Sequence, residues 1–276
     1  MNRKYPKYSV LMSVYSKENP KWFEESIQSM LNQTVLCDEF VIVEDGPLTK
    51  KLYEVIEKFT KEYPKLFKIV KIEKNGGLGP ALQIGVENCK NEWIARMDSD
   101  DYSFPERIEK QLNYIIKNKD VSLVGSWHNE FIGKIDNIQT VKKLPETNEE
   151  IVSYSRRRNP FSHPSVIMKK SAVLKAGNYR TYHLVEDYDM WLRMIRTGTK
   201  CYNIQESLIA IRVSKDLYKR RGGIKYLKSI LKFKKEQYKV GYFSFKDYII
   251  SSTSSAIVCL MPGWLRQFVY EKMLRK

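Results

Sequence analysis

Residues 92–101 read EWIARMDSDD, an apolar segment that ends in three closely spaced aspartates, Asp98, Asp100 and Asp101. The apolar part, 92–97, predicts a buried β-strand. Aspartates after a strand often only form turns, but three carboxylates this close repel one another unless a cation lies between them. Oxygen ligands with no cysteine nearby indicate a hard ion. The segment therefore predicts a site for Mg²⁺ or Mn²⁺, shared with a substrate diphosphate.

The residues on either side alternate between strand and helix patterns. Further strands are predicted at 8–14, 39–43, 67–73, 121–125 and 165–168. Helices are predicted from Asn19-Pro20, over 52–63, after Gly77, over 105–118 and over 186–198. Residues 127–144 favour a hairpin or excursion, and the last 55 residues favour two helical stretches. Strands that alternate with helices require crossover connections. We therefore expect an α/β fold, a Rossmann-like and mostly parallel sheet flanked by helices, with a helical, basic C-terminal extension.

The composition of the 276 residues is that of a globular protein of one or two domains. Hydrophobic residues make up 42% and charged residues 29%, which excludes a disordered chain. We find no apolar run of about eighteen residues and no signal peptide. The cysteines are far apart and form no CxxC pair, which indicates a reduced protein without a cysteine zinc site. We expect a cytoplasmic protein.

The net charge of +16 is distributed unevenly. Residues 1–100 have no net charge, 101–200 carry +5 and 201–276 carry +11. A nucleic-acid enzyme usually has basic residues around its site, so we expect no nucleic-acid partner. A basic tail beside a neutral half favours contact with anionic lipid or a phosphorylated acceptor.

Two further groups of polar residues lie where ligands bind in open α/β sheets, beyond the carboxyl ends of strands, and a third lies at the start of a helix. Glu44 and Asp45 follow the strand at 39–43, and Asn75-Gly76-Gly77 follow the strand at 67–73. Glu186-Asp187 precede an apolar helix, a place from which a carboxylate can act as a general base. Turn or helix-start roles explain each group taken alone. The two groups at strand ends would meet the aspartates of 98–101 on one edge of the sheet, which favours a shared ligand. Glu186-Asp187 gain significance from their position downstream of those aspartates.

The order of these motifs resembles the inverting family-two glycosyltransferases of the A-type (GT-A) fold, especially bacterial enzymes of exopolysaccharide and capsule synthesis. The resemblance covers about residues 8–212. It rests on the segments SVLMSVY, VIVEDG, NGGLGPALQIG, ARMDSDD, SHPSVIM and VEDYDMWLR. It implies transfer of one sugar from a nucleotide-diphosphate sugar, with UDP the expected nucleotide, to a saccharide or lipid-linked saccharide.

The resemblance also implies a role for individual residues. The nucleotide-sugar contacts would come from Ser13, Val14, Tyr15, Glu44, Asp45, Asn75, Gly76, Gly77, Arg96 and Asp98. Asp100 would be the main ligand of Mn²⁺ or Mg²⁺, and Asp187 would deprotonate the acceptor hydroxyl. One departure concerns Glu44-Asp45-Gly46-Pro47, where the family pattern is aspartate-aspartate-glycine-serine. Proline removes an N–H and fixes the turn, which puts the nucleotide contact of Glu44 in question.

Several side chains carry two interpretations. His163 faces the diphosphate, acceptor or metal, or else packs at a strand start. Glu186 and Arg193 are candidate acceptor or phosphate contacts, and Trp191 is an acceptor platform or, preferably, a core residue. The segment 211–223, with Arg220 and Arg221, forms a lid over the diphosphate or a solvated basic face.

The sequence divides into a catalytic domain, 1–212, and a helical extension, 213–276. The nucleotide-binding half covers about 1–101 and the acceptor half about 102–212. In the extension, residues 248–262 are apolar but short of a membrane span, and 263–276 are amphipathic and basic. We expect peripheral contact with the inner face of the cell membrane, against the alternative of an ordinary packed helix.

Two other functions remain open at this point. A nucleotidyltransferase-like nucleotide enzyme would need a glycine-rich phosphate loop after the first strand, where SVYSKENP has no glycine. A basic protein that only binds lipid or nucleic acid would leave the acidic cluster unexplained.

Overall fold

The computed structural model of the chain describes residues 4–213, 222–262 and 265. The strands are β1 (Tyr8–Val14), β2 (Glu39–Asp45), β3 (Phe67–Ile72), β4 (Trp93–Asp98), β5 (Tyr102–Ser103), β6 (Val121–Phe131), β7 (Ile138–Lys142), β8 (Ile167–Lys169) and β9 (Lys200–Arg212). The helices are α1 (Pro20–Leu31), α2 (Lys50–Glu62), α3 (Leu78–Asn88), α4 (Arg107–Lys117), α5 (Asn148–Ser155), α6 (Lys170–Lys175), α7 (Glu186–Arg196), α8 (Gly223–Lys239) and α9 (Phe245–Leu260). A 3₁₀ turn covers His163–Ser165.

The strands form one sheet in the order β3-β2-β1-β4-β8-β6-β9-β5, and β7 pairs with β6. The first four strands in that order are parallel, as predicted. The second half is mixed, because β8 runs antiparallel to both β4 and β6 while β9 runs parallel to β6. The α/β fold flanked by helices is therefore confirmed. The expectation of a mostly parallel sheet is wrong for the second half.

The two faces of the sheet bury separate apolar clusters. Val10, Met12 and Ile42 face α1, α2 and α4, whereas Leu11 and Val43 face α3 and α7. Successive side chains of a strand point to opposite faces, so a strand covered on both faces has a continuous apolar sequence. This double burial explains why YSVLMSV and EFVIV show no polar alternation.

The start of α1 agrees with the prediction from the sequence, and the start of α4 differs from it. The side chain of Asn19 accepts hydrogen bonds from the backbone N–H groups of Lys21 and Trp22, and Pro20 occupies the first turn, as predicted. Helix α4 begins at Arg107, later than the predicted 105. Helices α5 and α6 and strand β9 were not predicted. The predicted excursion over 127–144 is the hairpin of β6 and β7.

Helix α8 packs against α7 through a third apolar cluster. Phe233 of α8 is fully buried there with Tyr188 and Leu192 of α7. Helix α9 packs against α8, and its Asp247 accepts a hydrogen bond from Arg157 at 3.1 Å. The described part of the C-terminal extension therefore lies behind the helix that starts with Glu186 and Asp187.

Candidate active site

The carboxyl ends of the parallel strands meet at one edge of the sheet, and Asp45 is the centre of one loop cluster there. Its Oδ1 accepts a hydrogen bond from the backbone N–H of Gly76 at 2.7 Å, and its Oδ2 accepts one from Gly77 at 3.0 Å. The side chain of Asn75 also donates to Oδ2, at 2.9 Å. Gly46 has a φ of +81°, and a Cβ there would lie 2.7 Å from the backbone nitrogen of Asn75. These contacts hold the loop before α3 against the end of β2.

Glu44 lies on the opposite face of β2 from Asp45, because neighbouring residues of a strand alternate. It lines a groove between β3 and α2 with Tyr53, Ile56 and Lys71. Burial raises the pKa of the Glu44 carboxyl, and the adjacent Lys71 lowers it in part. The structure thus separates Glu44 from the Asp45 cluster, and we leave Glu44 out of the proposed site.

The end of β1 lies between these loops and the loop after β4 that contains Asp100 and Asp101, which we call the aspartate loop. Ser13 is in register with Val43 of β2 on one side and with Asp98 of β4 on the other. Val14 is buried in the core, so its backbone is the part that can contact a ligand. Tyr15 is exposed just beyond the strand. Ser13 and Tyr15 are therefore placed at the edge where the predicted nucleotide contacts converge.

Arg96 and Asp98 form an ion pair at the end of β4, through Nη2 and Oδ1. The Arg96 side chain is 1% exposed, and its Nε and Nη1 have no hydrogen-bond partner among the described residues. A buried guanidinium with unpaired nitrogens is costly unless an anion completes its hydrogen bonds. The arrangement places a buried positive charge beside the half-buried Asp98, at the edge of the sheet where a diphosphate is expected.

His163 and Tyr179 lie next to Arg96. The His163 Nε2 and the Tyr179 Oη are 3.0 Å apart; Tyr179 is buried and His163 is half-buried. Burial, with Arg96 nearby, lowers the pKa of the His163 imidazole well below its ordinary value, so the ring is neutral at pH 7. The neutral imidazole, hydrogen-bonded to Tyr179, forms part of the wall of the site beside Arg96. This position favours the packed-residue interpretation of His163.

Asp100 and Asp101 follow β4 in a crowded acidic loop. Burial and the carboxylates of Asp98 and Glu18 raise the pKa of Asp100 to about 7. Asp101 is buried and accepts a hydrogen bond from the backbone N–H of Arg212 at 2.9 Å. Asp101 is thereby tied to the end of β9. The half-buried Asp100, and Asp98 with the carboxylate that Arg96 holds, remain at the edge of the sheet to face a ligand.

The donor set of this loop fits a divalent cation shared with a diphosphate. Among the residues that the structure describes, no three His, Cys, Asp or Glu side chains form a complete metal-ligand set. Asp98 and Asp100 supply oxygen ligands, and the mutual repulsion around Asp100 is what a cation would relieve. Mg²⁺ typically binds through one or two carboxylates together with substrate phosphates.

Glu186 and Asp187 occupy the first turn of α7, as the sequence predicts. The Oδ2 of Asp187 accepts a hydrogen bond from Asn159 at 2.6 Å, and its Oδ1 accepts one from the backbone N–H of Tyr188 at 2.7 Å. Burial, followed by the charge of Asp187, raises the pKa of Glu186 to about 7. Asp187 is thus fixed and only half-buried, as a base that meets an incoming substrate must be.

Trp191 and Arg193 lie away from this edge of the sheet. Trp191 is fully buried against Phe161 and His163, which confirms the core interpretation. Arg193 forms a buried ion pair with Asp189, at 2.9 Å, and also donates to the carbonyl of Ala176. The hypothesis that Arg193 meets phosphate does not fit this position, and we leave both residues out of the proposed site.

Arg220 and Arg221 lie outside the described residues, as does nearly all of the amphipathic segment 263–276. In contrast, the structure adds Glu18, Asn159, Tyr179 and Arg212 to the candidate site. Asn159 lies four residues before His163 in the segment NPFSHPS. The sequence therefore indicated this segment, although not Asn159 itself. Glu18 carries none, because only the three-dimensional fold brings it to the aspartate loop. Arg212 lies in the segment 211–223, which was predicted as a lid or a basic face, but its contact with the aspartate loop was not predicted.

Comparisons with known proteins agree with this architecture. Residues 9–177 match the family described as glycosyl transferase family 2. A protein of Escherichia coli named UDP-Gal:alpha-D-GlcNAc-diphosphoundecaprenol beta-1,3-galactosyltransferase is 39% identical over 98% of this chain and 98% of its own length. The amylovoran biosynthesis glycosyltransferase AmsE of Erwinia amylovora is 37% identical over 96% of this chain and 98% of its own.

Solved structures share the fold at lower identity. The mannosyltransferase PcManGT of Pyrobaculum calidifontis, in complex with GDP-Man and Mn²⁺, aligns with a TM-score of 0.67 at 12% identity, over 95% of this chain and 72% of that one. S. aureus TarS 1–349 in complex with UDP gives 0.58 at 18% identity, over 83% and 65%. The comparisons support the transferase interpretation over a nucleotidyltransferase or a binding protein without activity. The chain belongs to glycosyl transferase family 2 and is a glycosyltransferase of the GT-A fold.

Proposed function

We propose that the chain transfers one sugar from a UDP-sugar to a lipid-linked saccharide, with inversion, in the synthesis of a surface polysaccharide. The observation that carries this proposal is the placement of Arg96, Asp98, Asp100 and Asp187 around the carboxyl ends of the parallel strands. Arg96 and Asp98 are close enough to both shift the pKa of Glu186, the neighbour of Asp187. Donor-binding and base functions are therefore adjacent.

The nucleoside of the donor would lie along the end of β1 and the Asp45 loop. Ser13, Tyr15 and the loop Asn75–Gly77 line this edge. Arg96, which is 1% exposed, would hold Asp98 in place and supply a positive charge beneath the diphosphate. Asp98, already paired with Arg96, would contact the donor side.

Asp100, with Asp98, would hold Mn²⁺ or Mg²⁺ in the donor complex. A divalent cation at this position supplies Lewis-acid stabilisation of the charge that develops on the diphosphate leaving group. The fixed carboxylates of the aspartate loop provide that position without rearrangement, because Arg212 holds the loop through its backbone N–H and its Nε.

Asp187 would remove the proton from the acceptor hydroxyl as the hydroxyl oxygen bonds to the anomeric carbon and the diphosphate leaves. One displacement by an oxygen on the opposite side inverts that carbon, and needs one base and no covalent glycosyl-enzyme. Asn159 and the N–H of Tyr188 orient the Asp187 carboxylate for this step.

The identity of the substrates is suggested by the E. coli relative, whose name specifies UDP-Gal and a GlcNAc-diphosphoundecaprenol acceptor. Because that relative aligns over nearly the whole of both chains, we propose UDP-galactose as the donor and a hexosamine linked to a polyprenol diphosphate as the acceptor. This acceptor class would place the enzyme at the inner face of the cell membrane. Among the helices of the described residues, none has the length and apolarity to cross a bilayer.

A transfer assay tests the proposal. The purified full chain is incubated with UDP-galactose, UDP-glucose, UDP-N-acetylglucosamine or GDP-mannose and a synthetic GlcNAc-diphospho-lipid, with Mn²⁺ or with EDTA. We expect a single added hexose from a UDP-sugar only, abolished by EDTA, with a β-linkage by NMR. Transfer from GDP-mannose, or an α-linked product from the α-linked UDP-sugar, would contradict the proposal.

A further inference from the structure

The hairpin formed by α8 and α9 carries a basic stripe, which we define as Lys225, Lys228, Lys232, Lys235 and Lys239. The spacing of three and four residues places these side chains on one face of α8. All five are exposed. The single acidic residue of α8, Glu236, accepts a hydrogen bond from Tyr182, which lies in the loop before α7. The basic stripe is therefore an uninterrupted row of positive charge.

The neighbouring helix α9 presents an apolar stripe, which we define as Ile249, Ile250, Ile257 and Leu260. Ile257 is 55% exposed and Leu260 63% exposed. Thr253 and Ser254 separate the two pairs, and residues 248–262 contain no charged side chain. A helix exposed to water normally carries its charged residues on this face.

The buried side of α9 includes polar residues, while Lys246, Thr253 and Ser254 are exposed. Asp247 is buried and accepts a hydrogen bond from Arg157. The buried Lys234 of α8 donates to the carbonyl of Ser251 and to the hydroxyl of Ser255. Helix α9 thus packs on the protein partly through polar groups and leaves four large apolar side chains exposed. Those side chains would be stabilised by an apolar environment.

We propose that the α8–α9 hairpin docks on an anionic lipid surface, with the apolar stripe in the interface and the basic stripe on the headgroups. Binding at a membrane interface combines burial of apolar side chains with attraction to anionic lipid. The apolar stripe supplies the first contribution and the basic stripe supplies the second. A second copy of this chain is disfavoured as the occupant, because a two-fold interface would bring the basic stripe close to its own copy. The inference extends the proposed function, since the lipid-linked acceptor lies in such a surface.

Vesicle sedimentation tests this surface. The full chain is mixed with vesicles of phosphatidylcholine, with or without phosphatidylglycerol, at low and high salt. The variant Lys228→Gln/Lys232→Gln/Lys235→Gln removes part of the basic stripe, and Ile249→Ser/Ile257→Ser removes part of the apolar stripe. The control Lys50→Gln/Lys51→Gln/Lys61→Gln removes the same charge from exposed positions of α2.

We expect the wild type and the α2 control to bind anionic vesicles, with less binding at high salt. The partition coefficient of the α8 variant should fall by a factor on the order of 100. The apolar-stripe variant should also lose binding. Equal binding to neutral and anionic vesicles, or an α8 variant that binds as well as the α2 control, would overturn the proposal. It would also be overturned if the wild type were a dimer that Ile249→Ser/Ile257→Ser converts to monomers without any change in vesicle binding.

A parallel assay separates this inference from the proposed function. Transfer from UDP-galactose to a short-chain, water-soluble acceptor should be the same in the wild type and in the α8 variant. A chain that binds anionic vesicles but transfers no sugar would refute the proposed function and leave the docking surface in place. A chain that transfers sugar but ignores anionic lipid would refute the docking surface alone.

Discussion

At the scale of single residues, the site combines groups that are fixed by hydrogen bonds with groups that lack a partner. Asp45 and Asp187 belong to the first kind, since protein N–H groups engage both of their oxygens. Two nitrogens of Arg96 belong to the second, although its Nη2 pairs with Asp98. Fixed carboxylates position substrate without reorganisation, while the charge of Arg96 is only partly compensated within the protein. The residues of the EWIARMDSDD segment were predictable as a cluster, but the unpaired nitrogens of Arg96 become visible only in the folded protein.

Asp187→Asn tests the base directly. The amide keeps an oxygen for the N–H of Tyr188 but cannot accept a proton from the acceptor. We expect the rate of transfer to fall by a factor on the order of 10² to 10⁴. Calorimetry should show UDP binding equal to the wild type, which controls for folding. Transfer at the wild-type rate would assign the base to another residue.

Glu186 gives a pH dependence of stability. Burial raises the pKa of its carboxyl to about 7, above the value in the unfolded chain, so the folded state binds the proton more tightly. The resulting stabilisation is present at pH 4 and is lost as the pH rises through 7. Glu186→Gln should therefore match the wild type near pH 4 and exceed it above pH 8 by about 1–3 kcal/mol. Urea denaturation at both pH values measures this, and an advantage of the variant that does not grow with pH would refute it.

At the scale of elements, local patterns were informative where a strand or helix buries a continuous apolar surface. Strands β1, β2 and β4 are buried on both faces and were predicted within one or two residues of their ends. Strand β9 was missed because polar residues interrupt it. Asn203, near its start, is fully buried and donates hydrogen bonds to the carbonyls of Pro145 and Pro160, which no periodicity reveals.

Short helices were missed for a different reason. Helix α5 contains about two turns and few buried residues, so its apolar period is too short to detect. Its start nevertheless carries a capping box, in which Thr147 and Glu150 cap each other's backbone N–H groups. The Thr-x-x-Glu spacing was readable in the sequence and would have located this helix.

Gly79 sets the distance between α3 and the loop before α7. A Cβ at this position would lie 2.5 Å from the carbonyl oxygen of Arg180 and 3.6 Å from the Cβ of Glu186. Since the closest atom belongs to the backbone, Gly79→Ala must displace one of the two elements. We expect a loss of stability of about 1–3 kcal/mol and a higher KM for the donor.

Gly76→Ala is the matched control for stability, because its Cβ would meet Pro80 at an ordinary 3.4 Å. Chemical denaturation compares the two variants. A Gly79→Ala variant as stable as Gly76→Ala would show that the α3–α7 contact is not tight.

At the scale of the whole molecule, charge and chemistry are separated along the chain. The first 100 residues, which have no net charge, contain the nucleotide loops and the aspartate loop. An excess of +11 lies in the last 76 residues, and five of its described lysines form the basic stripe of α8. The sequence predicted this polarity and the α/β fold. It could not predict the strand directions of the second half, which depend on pairings between segments far apart in the chain.

The central claim is that UDP and a divalent cation share one site through Asp100. The most direct measurement is the thermal unfolding of the wild type and Asp100→Asn with UDP, GDP, CDP, dTDP or ATP, each with Mn²⁺ or EDTA. A ligand that binds only the folded protein raises its melting temperature. We predict a rise with UDP and Mn²⁺ together, little rise with UDP and EDTA, and no Mn²⁺-dependent rise for Asp100→Asn. An equal rise in EDTA, a rise with ATP alone, or an unchanged response of Asp100→Asn would contradict the account.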